Sequence, residues 1–267
     1  MLTISRSIDL PIIYPGYYPH SITHRFLPDD QVEALIRLIN YRVIDGQLQL
    51  KETKCRSILV RLTGDRAKEE WNSNIVEVNY NVAIYGTAWE GPEGFHFADG
   101  KHVFVTVPQL NRTGMPKMFT AHLGDKLERF MTLEGGKNWM PFKHEDQWFV
   151  ITSLTPPRFK SITAVNDIEC HLTTVDLTGY EGHSNGCWLT DGKYLFLVTT
   201  KERQHRWMLL DMVTKVVKCS DIFSLVEDSK YEYISSLVVE GDSLWIGVGI
   251  DYKVKLLKLD LASISLL

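Results

Sequence analysis

Five short stretches of the sequence bring acids, cations and aromatic rings to the point where an apolar run begins. They are His20-Ser21-Ile22, Gly91-Pro92-Glu93-Gly94-Phe95-His96, Lys137-Asn138-Trp139, Glu181-Gly182-His183-Ser184-Asn185 and Glu232-Tyr233-Ile234-Ser235. A strand that enters a closed core opens most cheaply on small or aliphatic residues, because an unpaired charge taken out of water is costly. Glu93, Lys137, Glu181, His183 and Glu232 depart from that rule. If the five openings meet, the mixture suits a sugar: Trp139, Tyr233 and Trp188 offer ring faces, and the charged groups reach hydroxyls or phosphate. The competing reading leaves the same groups on loops in water.

The elements that would position these residues are short strands closed by turns. Asp99-Gly100 separates the apolar runs 94–98 and 102–108, and Asp191-Gly192 separates 186–190 from 194–200. Glu145-Asp146, Glu240-Gly241-Asp242 and Asp45-Gly46 stand in the same place between 140–143 and 148–153, 234–239 and 243–249, and 36–44 and 47–51. Asp-Gly between alternating apolar residues is a strong hairpin signal. The turns recur at roughly 45 to 55 residues, the period of four-stranded propeller blades. A third strand follows the later hairpins at 117–123, 158–165, 206–211 and 254–259. Val32, Leu35, Ile36 and Ile39 also match helical spacing. That run continues into Tyr41-Arg42-Val43-Ile44 and the turn Asp45-Gly46, so a strand is expected; 65–71 reads as a surface loop or a single turn. The expectation is one all-β domain over residues 1–267, a five-bladed β-propeller with the first ~19 residues as a closing or extended segment. Each innermost strand of a propeller starts at the mouth of the central channel, which is what would gather the five openings. A β-sandwich accounts for the hairpins but not for their long, regular spacing.

Composition narrows the partners. Across 267 residues the formal charge is −4, which argues against a broad basic face for nucleic acid. Hydrophobic residues at 44% and charged ones at 23% exclude a disordered chain. No apolar run approaches the ~18 residues of a membrane span. The opening MLTISRSIDLPIIYPG lacks a basic segment followed by an apolar core, so a cytoplasmic protein without a membrane partner is expected. Cys55, Cys170, Cys187 and Cys219 show no CxxC spacing, which points to free thiols in a reducing compartment rather than zinc or disulfides. Asn111-Arg112-Thr113 is a chance sequon in such a chain. Oligomeric state is not legible.

Several of these residues carry a resemblance. Asn40-Tyr41-Arg42 with Asp45-Gly46, then Gly91-Pro92-Glu93, then Lys137-Asn138-Trp139-Met140-Pro141-Phe142 with Ser153-Leu154-Thr155-Pro156, resemble pieces of a set of five-bladed propellers. These are related to the glycoside hydrolase family 130 phosphorylases and to mannosyltransferases on the same propeller. Leu244-Trp245-Ile246-Gly247-Val248-Gly249-Ile250-Asp251 is similar to their last blade. The likeness runs in fragments over residues 20–260, and KNWMPF is its most specific piece.

The resemblance implies an active site on the axis, where a carboxylate protonates the leaving oxygen of a glycoside and basic residues hold phosphate. Lys137 falls at the place of a phosphate-holding lysine, a role that needs a charge-assisted contact. On this basis Glu93 and Glu181 are the candidate catalytic carboxylates. Arg42, His96, Lys137, Asn138, Trp139, His183, Asn185, Glu232, Tyr233 and Asp251 are the candidate binding residues. No metal or organic cofactor is implied; inorganic phosphate would be a co-substrate. The pattern departs from the family in two places. Its Glu-Asp-Pro-Arg becomes Glu93-Gly94-Phe95-His96, and its Arg-Gly pair before the fourth blade becomes Glu181-Gly182-His183.

Three activities stay open. One is a phosphorylase or hydrolase with Glu93 or Glu181 as proton donor, held protonated by burial and like charge, and with Lys137, His96 and His183 on an anion. Another is a glycosyltransferase using a sugar-phosphate donor. The last is a pocket without turnover that binds a sugar, a nucleotide or another anionic small molecule. Other chemistry finds little support: no Gly-x-Ser-x-Gly, P-loop or Gly-x-Gly-x-x-Gly is present. His205 reads as a polar surface residue. Lys253, Lys255 and Lys258 alternate as on a solvated outer strand.

Overall fold

The computed structural model describes residues 3–44, 47–50, 57–72, 76–80, 94–110, 115–124, 126–133, 139–172, 175–190, 192–200, 204–226 and 229–265. The chain begins with β1 (Ile4–Asp9), whose partner lies at the far end of the sequence. Blade 1 starts with β2 (Tyr18–Phe26) and β3 (Gln31–Ile39). A side hairpin of β4 (Tyr41–Ile44) and β5 (Gln47–Leu50) then branches off. The blade resumes with β6 (Ser57–Asp65), edged by β7 (Glu70–Trp71) and β8 (Val76–Glu77).

Blade 2 has the short β9 (Asn79–Tyr80) on its outer edge, parallel to the last of β10 (Gly94–Asp99), β11 (His102–Leu110), β12 (Met115–Leu123) and β13 (Lys126–Leu133). Blade 3 is β14 (Met140–His144), β15 (Gln147–Leu154), β16 (Pro157–Ser161) and β17 (Ile168–Glu169). Blade 4 takes β18 (His171–Leu172) on its outer edge. Its inner strand comes in two pieces, β19 (Tyr180–Gly182) and β20 (Cys187–Thr190), and both pair with β21 (Lys193–Thr200). β22 (His205–Asp211) and β23 (Val216–Cys219) complete it. Blade 5 is β24 (Glu232–Glu240), β25 (Ser243–Ile250) and β26 (Lys253–Asp260), and β1 pairs antiparallel with β26 to close the ring.

The protein is therefore a five-bladed β-propeller. The N-terminal segment supplies the outermost strand of the last blade. β26 is thus covered by β1 and is not the solvated outer strand the lysine alternation suggested: Lys255 pairs with Asp9 at 3.0 Å, and Lys258 sits 5.7 Å above the Trp245 ring.

Period-2 alternation explains how one strand serves two neighbours, since successive side chains point to opposite faces. In β21, Tyr194, Phe196 and Val198 pack on Met140, Phe142 and Phe159 of blade 3, while Leu195 and Leu197 pack on Leu237, Leu244 and Ile246 of blade 5. In β11, Val103 and Val105 face Leu35 and Leu59 of blade 1, and Phe104 faces Trp139 and Val150 of blade 3. Ile8, Ile22, Ile36, Trp245 and Leu256 fill the last interface, between blades 5 and 1. Apolar residues on both faces are what a sheet buried on both sides requires, and β3 shows it with eight of nine residues buried.

Polar clamps fix the seam between the first and last blades. Arg66 reaches Asp30 at 3.1 Å and Glu240 at 2.7 Å, and its guanidinium lies 3.9 Å over the Phe26 ring. Gly249 of β25 passes so close to the His20 carbonyl that any Cβ would collide with it. That close approach sets the depth at which β2 enters the axis. Among the described residues no helix is long and apolar enough to cross a membrane.

Candidate functional site at the axial mouth of blades 4 and 5

Where the inner strands of blades 4 and 5 begin, a cavity of about 210 Å³ opens, lined by Glu181, His183, Thr199, Lys230, Tyr231 and Tyr233 among others. β19 delivers Glu181, and the link between β19 and β20 delivers His183. β21 pairs with β19 so that Thr199 lies directly opposite Glu181. β24 contributes Tyr233, and the residues just before it contribute Lys230 and Tyr231. Asp251 sets that approach: its Oδ1 accepts from the backbone N–H groups of Lys230 at 2.9 Å and Tyr231 at 3.0 Å. Asp251 and Tyr252 both hold a left-handed backbone, φ 48° and 63°, an uncommon state for non-glycine residues.

Inner-strand residues of the other blades meet this wall. Nε2 of His20 in blade 1 is hydrogen-bonded to the Tyr231 hydroxyl at 2.6 Å, and its ring lies 4.9 Å from that of Tyr233. His96 of blade 2 is hydrogen-bonded to the Ser235 backbone of blade 5. His183 links blades 4 and 5: Nδ1 is 3.0 Å from the Tyr233 hydroxyl, and Nε2 is 3.4 Å from the Glu181 carboxylate. Four blades thus place polar inner-strand groups in one neighbourhood.

Burial sets the charge states. It pushes His96 down to about 3, helped by the nearby His183. It lowers His20 well below the ordinary histidine value too, with Arg37 and His183 adding repulsion. Both rings are therefore neutral at physiological pH, and the buried Nδ1 atoms of His20 and His96 meet no hydrogen-bond partner among the described residues. The Tyr231 hydroxyl is held protonated by burial and by the neighbouring Tyr233. Glu181, with a side chain 38% exposed, is the open carboxylate of the described cavity wall.

A ladder of rings leads away from the cavity. Tyr233 and Tyr231 stack at 6.4 Å, and Tyr231 and Tyr252 at 5.5 Å, within 9° and 4° of parallel. Arg42 closes its far end, lying 3.7 Å over Tyr18 and 5.3 Å over Tyr252, a cation–π arrangement.

The sequence-derived site residues divide clearly. Glu181, His183 and Tyr233 come together at the cavity, His96 lies in the same neighbourhood, and Arg42 stands at the end of the ring ladder. Glu93, Lys137 and Asn138 lie outside the described residues. Trp139 instead fills the interface of blades 2 and 3 against Phe104, Met118 and Val150, under Lys160. Asn185 clamps the two strands, giving and receiving hydrogen bonds with the Leu237 backbone at 2.8 and 2.9 Å. Glu232 also lines the cavity, with its side chain fully buried against His205 at 2.6 Å. Asp251 works on backbone N–H groups, as described. Trp188 is 59% exposed and lines none of the described cavities. His205 is not a surface residue: it is wholly buried.

Residues that sequence reasoning did not select include Tyr231, Thr199 and Lys230 at the wall and Arg37 beneath it; His20, named among the five openings, does reach this neighbourhood. The Tyr231-x-Tyr233 alternation was the available signal, because a strand turns both rings to one side. Among the described residues no group of three or more His, Cys, Asp or Glu is placed to hold a metal ion.

No protein-family profile matches the sequence, and no curated protein does. The fold is shared with solved structures. A β-1,2-mannobiose phosphorylase from Listeria innocua, in complex with β-1,2-mannobiose, is 13% identical with a TM-score of 0.64, over 96% of this chain and 94% of that one. A GH43_1 enzyme from Xanthomonas citri complexed with xylotriose is 10% identical with a TM-score of 0.65, over 95% and 90%. The β-xylosidase RS223 is 11% identical with a TM-score of 0.62, over 92% and 93%. At these identities the likeness establishes the five-bladed architecture.

Proposed function

We propose that this propeller is carbohydrate-active and takes a glycoside or sugar phosphate in the axial cavity, with Glu181 as its acid–base group. The observation that carries this reading is the line along the cavity wall from Tyr233 to His183, hydrogen-bonded at 3.0 Å, and on to the Glu181 carboxylate, 3.4 Å from His183 Nε2. A carboxylate held by an imidazole, beside phenol rings and hydroxyls, can move a proton at a glycosidic oxygen while the rings exclude water from one side. Inverting chemistry of this kind needs one carboxylic acid and a separate nucleophile, water or phosphate. Glu93 is proposed as the second carboxylate, and Lys137 and Asn138 as ligand-binding groups, on their sequence positions at the openings of blades 2 and 3. Solved structures of the same architecture carry β-1,2-mannobiose and xylotriose, which supports a sugar as the partner. The buried free thiols Cys170, Cys187 and Cys219, which burial raises to about 11, 12 and 11, support a reducing cytoplasm.

The test is incubation with mannosyl, glucosyl and xylosyl disaccharides, with and without phosphate. Release of sugar or sugar phosphate is expected, and Glu181→Gln should abolish it while calorimetry still detects ligand. A wild-type protein that binds no member of the panel overturns the reading. One observation favours a binding-only pocket as the second reading: His96 stands neutral where the resembled family carries an arginine. Tight binding with no product across the panel would select it.

A further inference from the structure

Behind the cavity wall a row of side chains crosses blade 4. Glu181 is opposite Thr199 in the pairing of β19 with β21, and Thr199 is opposite His205 in the pairing of β21 with β22. Directly opposed residues present their side chains on the same face of the sheet. Thr199 lines the cavity, and His205 lies fully buried behind it. Thr199 Oγ1 is 2.8 Å from His205 Nδ1, and His205 Nε2 is 2.6 Å from Glu232 Oε2.

The hydrogen positions in this row follow from its buried end. The Glu232 carboxylate also accepts from the Ser229 hydroxyl at 2.5 Å and from the Val226 backbone N–H at 2.9 Å. Burial alone would raise its pKa, but the hydrogen bonds from His205 and Ser229 outweigh that and keep it ionised. An ionised carboxylate only accepts, so Nε2 carries a hydrogen. In the neutral tautomer with that hydrogen on Nε2, Nδ1 is an acceptor. The hydrogen between it and Thr199 then belongs to Oγ1. A hydroxyl has one hydrogen, and Thr199 has committed it behind the wall.

We propose that Thr199 is a one-way hydrogen-bond acceptor that selects a ligand presenting a hydroxyl donor at that point of the cavity. The inference rests on the reading of the cavity as a sugar site and adds a specificity residue to it. An ether, a fluorine or a phosphate oxygen placed there would face lone pairs and leave two acceptors unpaired, a loss of about ten- to a hundredfold in affinity. The chain of donors runs in one direction, from ligand O–H to Thr199, to His205, to Glu232. Hydrogen bonds aligned in this way polarise one another, so the selected ligand oxygen gains electron density beside Glu181.

Two measurements decide it. Calorimetry would use methyl mannopyranoside and methyl glucopyranoside with their monodeoxy and deoxyfluoro forms. At one ring position both replacements should weaken wild-type binding about tenfold or more. Thr199→Val, which keeps the shape, should bind parent and analogues alike, and Thr199→Ser should restore the discrimination. A deoxyfluoro sugar bound as well as its parent at every position, or a Thr199→Val protein that still discriminates, overturns the proposal. The ¹⁵N chemical shifts of His205 test the direction with no ligand present. A pyridine-type Nδ1 beside a pyrrole-type Nε2 is expected, and two pyrrole-type nitrogens would make Thr199 a donor and the proposal wrong. Failure of every methyl glycoside to bind, with the shifts as expected, sinks the sugar reading alone.

Discussion

The Tyr233 hydroxyl stands 3.0 Å from Nδ1 of His183 and so joins the inner strands of blades 4 and 5 at the edge of the cavity. If the phenol donates to Nδ1, the ring's hydrogen stands on Nε2, 3.4 Å from the Glu181 carboxylate. That tautomer serves the glutamate, and the tyrosine ring also lies tilted against His20 at 4.9 Å.

Tyr233→Phe separates these two roles, because it keeps the ring and removes the hydroxyl. Loss of one hydrogen bond of this kind is worth about 1 kcal/mol. Turnover on a productive glycoside, or affinity in calorimetry, should fall about five- to tenfold, with the melting temperature lowered by no more than about 4 °C. A larger fall in melting temperature with unchanged affinity would make Tyr233 a packing residue only.

Stability should be acid-sensitive in a window set by buried histidines. Burial holds His24 and His96 at about 3 in the folded protein, against 6.5 for an ordinary histidine. Between those values the unfolded chain binds more protons, so folding stability rises with pH. The contribution is complete above 6.5 and is lost as the pH falls toward 3. Glu232, with its lowered pKa, adds a loss of the same sign below 4.5. Melting temperatures should be level above pH 7.5 and fall steadily from pH 6.5 to pH 4. His96→Asn should flatten that slope by up to about 1.4 kcal/mol per pH unit. An unchanged slope in the variant would mean that His96 is protonated in the folded state.

How far the sequence foretold this arrangement depends on the scale. Turn chemistry located the hairpins: Asp99-Gly100 does separate β10 from β11, and Glu240-Gly241-Asp242 does separate β24 from β25. The spacing of the turns gave the right number of blades with one turn misplaced: Asp45-Gly46 lies between β4 and β5 in the side hairpin, whereas blade 1 turns between β2 and β3, over residues 27–30. Side-chain direction was less accessible. Glu232 and Tyr233 are adjacent in sequence, and a strand must turn one of them inward and the other into the blade interface. The tyrosine faces His183 at the cavity, and the glutamate faces His205, its partner 27 residues earlier. No local pattern distinguishes these outcomes, since the deciding residue arrives from another strand. His205 was misread for the same reason: set among Lys201, Glu202, Arg203, Gln204 and Arg206 it looks exposed until its carboxylate is supplied by the next blade.

Trp139 gives the sharpest contrast between a sequence motif and its physical role. It belongs to the KNWMPF run, the most specific piece of the sequence resemblance, and was expected to bind ligand, yet its side chain is only 7% exposed and is packed between blades 2 and 3. Met140 and Phe142, on either side in the alternation, pack into the opposite interface with blade 4. The tryptophan therefore wedges two blades apart at the correct distance. Trp139→Ala should cost about 3–5 kcal/mol, a fall of roughly 6–15 °C in melting temperature for a chain of this length. Protein that remains folded at low temperature should bind sugar with wild-type affinity. Lys137→Ala should do the reverse, losing ligand with a melting temperature within a few degrees of wild type. A Trp139→Ala protein that melts normally and has lost its ligand would return the indole to the binding site and remove it from the core.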